Sequence, residues 1–201
     1  MASEKLIIFL RHGHSMTNKL GIGSSAIEGY PLTELGERQA TEASLKLAGA
    51  SWIDNAYCSP VLRAVQTASI ACSSLGLKPT IDFRITERGQ GKREGMELLK
   101  DKEWTSDPKN EAESWESTKA RMRSFMEDAK GRVILAVSHA DPISAACDVV
   151  DGKGEAFHRA TLPSNCHFSI IDFGNMKVID KNADAIPESA ISIAQRASNG
   201  M

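Results

Sequence analysis

Two unbroken apolar runs, Leu6 to Leu10 and Val133 to Val137, stand out in a chain whose other apolar positions are spaced. Short continuous runs rich in β-branched residues predict strands buried on both faces of a parallel sheet. Between them the spacing becomes helical. After Pro31-Leu32, Thr33 is placed to cap a helix whose stripe is Leu35, Ala40, Ala43 and Leu47. Trp52 to Cys58 predicts a second strand, ending at Ser59-Pro60. Pro60 in a first turn, followed by Leu62, Val65, Ala68, Ile70 and Ala71, predicts a helix to about Leu75. Thr80 to Ile85 predicts a third strand, and a helix should follow Pro142. Cys166 to Phe173 and Lys177 to Asp180, joined by Gly174-Asn175, predict an antiparallel hairpin on a two-residue turn.

Strands alternating with helices imply an α/β fold: a three-layer sandwich, a mainly parallel sheet with helices on both faces and a small helical insertion. The insertion is expected at about residues 94–131, polar and helical, carrying Trp104 and Trp115 and covering one end of the sheet. A single domain is expected over residues 1–182. The segment 183–201 should be a peripheral helix or a frayed end.

Composition narrows the function classes. The chain has 201 residues, enough for one full core, and a net charge of −2. That balance excludes nucleic acid or an acidic membrane as a partner held by gross charge. Cys58, Cys72, Cys147 and Cys166 form no C-x-x-C pair, so reduced thiols in a cytoplasmic protein are expected. The first apolar run is too short for a signal peptide, and no run is long enough to span a membrane.

Chemistry gathers at the strand ends. Leu10-Arg11-His12-Gly13 and Val137-Ser138-His139 place a histidine after each buried strand, and Cys58-Ser59-Pro60-Val61-Leu62-Arg63 adds an arginine at a third junction. Ligands of open α/β sheets bind at the carboxyl ends of the strands. Arg11, His12, His14, Ser15, Asn18, Ser59, Arg63, Glu87, Ser138, His139 and Asp141 are the polar residues expected there. Two arginines and two histidines in one crevice make an anion site, because guanidinium forks match phosphate oxygens in pairs. Either histidine alone could be structural. His12-x-His14 could be a metal pair, and Ser15 or Ser138 a nucleophile, although neither serine lies in G-x-S-x-G.

These residues resemble the histidine phosphatase superfamily, the phosphoglycerate-mutase-like proteins, in the branch that holds mutases and small-molecule phosphatases. Arg11-His12-Gly13-His14-Ser15-Met16-Thr17-Asn18 fits R-H-G-x-S-x-x-N, and Pro31 to Ala40 fits P-L-T-x-x-G-x-x-Q-A. Ser59 to Ala68 fits S-x-x-x-R-A-x-x-T-A, Glu87 to Gly95 fits E-x-x-x-G-x-x-E-G, and Val137-Ser138-His139 fits V-S-H. The resemblance implies that His12 is a nucleophile forming a phosphohistidine. It implies that Arg11, Arg63 and His139 grip the phosphoryl oxygens, and that Asn18 and Ser15 bind substrate. Glu87 would protonate the leaving group and Asp141 is a rival acid. No metal and no cofactor are implied.

Three departures bear on the substrate. His14 replaces the usual Glu, Ala140 the usual Gly, and Gln90 and Arg93 the usual aromatics. The resemblance leaves three functions: a phosphatase for a small phosphorylated metabolite, favoured by the short interval from Glu87 to His139; a phosphoglycerate mutase; or a non-catalytic phospholigand-binding protein. Expected partners are the phosphorylated substrate and inorganic phosphate, with no nucleic acid, no membrane, and a homodimer left open. Lys92, Arg93, Lys100 and Lys102 could add positive charge at the mouth.

Overall fold

In the computed structural model, which describes residues 5–98 and 108–199, the first apolar run forms strand β1 (Leu6–Arg11) and the second forms β4 (Val133–Ser138). They pair in parallel from Leu6 opposite Val133 to Arg11 opposite Ser138. Strand β2 (Asn55–Cys58) pairs with the other edge of β4, and β3 (Thr80–Ile81) with β2, both in parallel. Strands β5 (Phe168–Asp172) and β6 (Lys177–Ala183) close the far side in antiparallel pairing. The sheet order is β3-β2-β4-β1-β5-β6.

Side chains alternate across the central strands, so each face has its own core. Leu6, Ile8 and Leu10 pack with α2 (Glu34–Leu47), α3 (Leu62–Ala71) and α7 (Glu188–Asn199). Ile7 and Phe9 face α4 (Trp115–Asp128) and α5 (Ala140–Asp151). Two short helices, α1 (Met16–Leu20) and α6 (Glu155–Ala160), lie in connections. Among the described residues no helix is long and apolar enough to cross a membrane.

Several expected boundaries move. Thr33 caps α2 by accepting from the Gly36 amide, but Leu35 is exposed and outside the buried stripe. Trp52 and Ile53 precede β2, and Pro60 stands two residues before α3. The third strand stops at Ile81, because Asp82 caps a 3-10 turn at Phe83–Ile85. The hairpin turn has four residues, 173–176, rather than two. Helix α5 begins before Pro142, which sits in its first turn, where a proline amide has no helical partner to lose.

The region expected to cover an end of the sheet instead supplies α4 to one face. Trp115, Met122, Phe125 and Met126 are buried there, and Trp115 Nε1 donates to Asp148 at 2.8 Å. Trp104 lies outside the described residues. The C-terminal helix is docked on an alanine face of Ala190, Ala194 and Ala197, with Ile186 and Ile193 half-buried beside it.

Candidate active site

The carboxyl ends of β1 and β4 lie side by side, which brings their terminal histidines together. The His12 and His139 ring centroids are 5.0 Å apart. The backbone at His12 is held on three sides. Its amide donates to Ser138, its carbonyl accepts from Asn165 Nδ2 at 2.9 Å, and the next amide, Gly13, donates to Thr67 Oγ1. The turn then packs against the start of α2 backbone to backbone. A Cβ on Gly13 would stand 2.6 Å from the Gly36 carbonyl oxygen, and one on Gly36 would collide with the carbonyl of His14. Both glycines are therefore required by close approach.

His12 is 2% exposed. Its Nδ1–H donates to the Gly13 carbonyl at 2.8 Å, which puts the lone pair on Nε2. Arg63 Nε donates to that nitrogen at 3.2 Å. Burial, then Arg63 and Arg11, hold the imidazole pKa well below its usual value, so the ring is neutral at physiological pH.

Arg63, itself 1% exposed, is positioned by α3 and by a bond from Nη2 to the Ser24 carbonyl at 2.8 Å. Glu94 fixes the Ser24 loop by accepting from the Ser24 hydroxyl and from Ser25. Arg11 Nη1 donates to the Pro163 carbonyl at 2.6 Å. His139 stands at the N-terminal boundary of α5 without a side-chain capping bond, and its Nε2 meets the Ser59 hydroxyl at 2.8 Å. The Ser59 oxygen already accepts from the Val61 amide, so its hydroxyl is read as donating to His139 Nε2, leaving Nδ1–H facing the site. Three buried donors around His12 have no partner among the described residues: Arg63 Nη1, Arg11 Nε and His139 Nδ1.

Glu87 closes the group. Its Oε2 is 3.7 Å from His139 Nδ1 and 3.9 Å from Arg63 Nη2, and its Oε1 accepts from the Arg88 amide at 2.8 Å. Burial and, next, the charge of Asp141 push its pKa up to about 7, against the opposing pull of Arg63. A carboxyl poised near neutrality can give and take a proton.

Arg11, His12, Asn18, Arg63, Glu87 and Asp141 all line one cleft of about 240 Å³. His139 sits beneath it, fully buried. Ser15 does not line it: its hydroxyl is engaged by Thr17 and Asn18, and its amide donates to Asn18 Oδ1 at 2.9 Å. Its place is to hold Asn18. His14 turns to Thr33 Oγ1, and Ser138 donates to the Ile85 carbonyl. Lys92 pairs with Glu111 and Arg93 donates to the Glu97 carbonyl, and neither lines the cleft. Lys100 and Lys102 lie outside the described residues.

The outer wall contains residues the sequence reading did not single out. Arg159, from α6, bonds Asp141 at 2.9 Å, and buried Arg88 bonds Glu155 at 2.7 Å. Ile22, Leu98 and Leu162 form an apolar lip. His12, Glu87 and His139 bring ligand atoms within 4.8 Å of one another, as a cation site would. Two guanidinium groups against the same histidine make that donor set hostile to a cation. A second such group, Asp148, Asp151 and His158, is occupied internally by Trp115, Lys119 and Lys181.

Residues 7–181 match the histidine phosphatase superfamily (branch 1). The chain belongs to that superfamily. It is 32% identical to the 2,3-bisphosphoglycerate-dependent phosphoglycerate mutase of Thermoplasma acidophilum, over 92% of this chain and 96% of that one. It is 28% identical to the 2-carboxy-D-arabinitol-1-phosphatase of Triticum aestivum, over 86% of this chain and 38% of the plant protein. Two solved structures share the fold. The α-ribazole phosphatase of Shigella flexneri superposes with a TM-score of 0.74 at 23% identity, covering 90% of this chain and 98% of that one. A mycobacterial glucosyl-3-phosphoglycerate phosphatase bound to VO3 also gives 0.74, at 20% identity over 89% and 99%. The match to a mutase over 96% of its length weakens the short interval from Glu87 to His139 as an argument against mutase activity.

Proposed function

We propose that the protein is a metal-independent phosphomonoesterase acting on a small phosphorylated metabolite through a phosphohistidine at His12. The observation that carries the reading is the setting of His12: a neutral, fixed imidazole beside three buried, unpartnered donors. Those donors, from Arg63, Arg11 and His139, suit the oxygens of a transferring phosphoryl group. On arrival of the phosphate, Arg63 turns from Nε2 to the oxygens and frees the lone pair. Nε2 attacks phosphorus as the ester P–O bond breaks, and Glu87 gives its proton to the departing oxygen. The carboxylate then takes a proton from water as the water oxygen attacks the phosphohistidine. The P–N bond breaks, leaving inorganic phosphate and neutral His12.

A mutase shares the first half of this sequence, and the 32% identity to a mutase over nearly its full length favours it as a second reading. The outer wall argues for water as the acceptor. A bisphosphate primer needs a second anion site, yet Arg159 and Arg88 are each paired to a carboxylate and the lip is apolar. A panel of phosphomonoesters, assayed with EDTA present, tests the reading. Phosphate release, inhibition by vanadate, and an acid-labile phosphoenzyme absent from His12→Ala are the expected results. Phosphoglycerate isomerisation dependent on 2,3-bisphosphoglycerate would establish the mutase. Binding of phosphate without any turnover would establish a phospholigand-binding protein. Loss of turnover on chelation, restored by zinc or manganese, would overturn metal independence.

A further inference from the structure

Gln90 stands in the cleft wall where the superfamily commonly has an aromatic, and it is 4% exposed. Its Nε2 donates to the Arg88 carbonyl at 2.7 Å. That bond fixes the amide, since the flipped orientation would press two oxygens together. The remaining atom, Oε1, is buried and has no hydrogen-bond partner among the described residues. Its neighbours are themselves cleft residues. A Cβ on Gly23 would lie 2.8 Å from Oε1 and 3.3 Å from a Leu98 methyl. Gly23 thus leaves room for the amide oxygen.

A buried amide oxygen without a donor costs free energy, and in a binding cleft the natural source of a donor is the ligand. An anionic group would be repelled by the oxygen. An ammonium would seek a carboxylate, and of the cleft's two, Asp141 is held by Arg159 at 2.9 Å while Glu87 faces Arg63 and His139. A hydroxyl needs only the single neutral acceptor.

We propose that Gln90 Oε1 accepts a hydrogen bond from a hydroxyl on the alcohol portion of the substrate, which is therefore the phosphate monoester of a diol or polyol. This rests on the phosphomonoesterase reading above and names its substrate class. Gln90 is the specificity determinant, and Gly23 the residue that lets it approach.

The test uses the whole chain and hydroxyalkyl phosphates of two to five carbons. Each is compared with the alkyl phosphate bearing methyl in place of hydroxyl, and with the aminoalkyl phosphate. Wild type should favour the hydroxyl in kcat/KM by about tenfold or more at one chain length. Gln90→Met, similar in volume but without an acceptor, should collapse that ratio. Gly23→Ala should do the same by displacing the amide. No preference at any chain length, an amine as good as the hydroxyl, or a ratio that survives Gln90→Met would overturn the proposal. Should Gln90→Met fail to fold, the wild-type ratio and Gly23→Ala decide. Absence of hydrolysis of every ester by wild type is a separate result, which overturns the phosphomonoesterase reading itself.

Discussion

Arg63 Nε donates to His12 Nε2 across 3.2 Å, so a buried guanidinium is bonded to the free lone pair of the His12 imidazole. Burial, and after it the Arg63 charge, keep the ring neutral; the contact aims it, and the same guanidinium presents Nη1 without a partner among the described residues. One planar group thereby serves the nucleophile and the anion together. Lysine can do only one of these, being a point charge on a flexible stem. Arg63→Lys should lower kcat by about 10²–10³, the usual cost of removing one oxyanion donor. A loss under tenfold in steady-state assays would remove Arg63 from the reaction.

Glu87 is expected to act as the acid. Glu87→Gln should cost about 10²–10⁴ in kcat on an alkyl phosphate and much less on p-nitrophenyl phosphate, whose leaving group needs little protonation. The pH dependence follows from the same group. The active form is the protonated one, and its pKa is pushed up to about 7, so kcat/KM on the alkyl ester should fall as pH rises through 7. No matching loss of nucleophile is expected just below 6.5, because the His12 pKa is held well below that value. The ratio of alkyl to aryl rates against pH reads Glu87 directly. A ratio independent of pH would remove it from the acid role.

The close approach of Gly13 and Gly36 gives a stability prediction. A methyl on Gly36 has no route past the His14 carbonyl, which is backbone and cannot swing aside. Gly36→Ala should cost about 1–3 kcal/mol, the range for overpacking, and should also lower kcat because the same turn carries His12. Chemical denaturation and kinetics on one preparation check both. Unchanged stability would mean that the α2 terminus can move away from the turn.

The strands that carry the site were legible because burial on both faces leaves only apolar residues, as in Leu6 to Leu10 and Val133 to Val137. Thr80 to Ile85 misled because β-branched residues there serve an exposed edge and a turn. Thr80 and Ile81 are both exposed. The motif side chains found their places: Gln39 accepts from the His14 amide and Thr67 from the Gly13 amide. What sequence could not reveal was the contribution of backbone and of distant loops. Ser24 offers Arg63 a carbonyl, which every residue has. Arg159 and Asn165 come from connections with no hydrophobic period, and reach the site only through the fold. Gln90 was visible as a departure from the family pattern, but its unpartnered oxygen was not.

Asp141 faces the same cleft as Glu87, and its charge raises the Glu87 pKa, second only to burial. Its own position is set by Arg159 at 2.9 Å and by Arg88 at 3.9 Å. Asparagine keeps an oxygen for Arg159 and removes the charge. With that charge gone, ionised Glu87 is less disfavoured, so its pKa must fall. The protonated acid is then lost at lower pH, and the alkaline limb on an alkyl phosphate should move to lower pH in Asp141→Asn. At pH 7 the rate should drop by no more than about tenfold, the effect of one pKa unit on the acid fraction. The rate on p-nitrophenyl phosphate should change little, since it draws little on the acid. If Asp141 were itself the proton donor, Asp141→Asn would instead show the large leaving-group-dependent loss expected of Glu87→Gln, with no shift of the limb. A limb that stays in place with no rate change would confine Asp141 to holding Arg159. The two pH profiles, measured side by side on alkyl and aryl esters, separate the three outcomes.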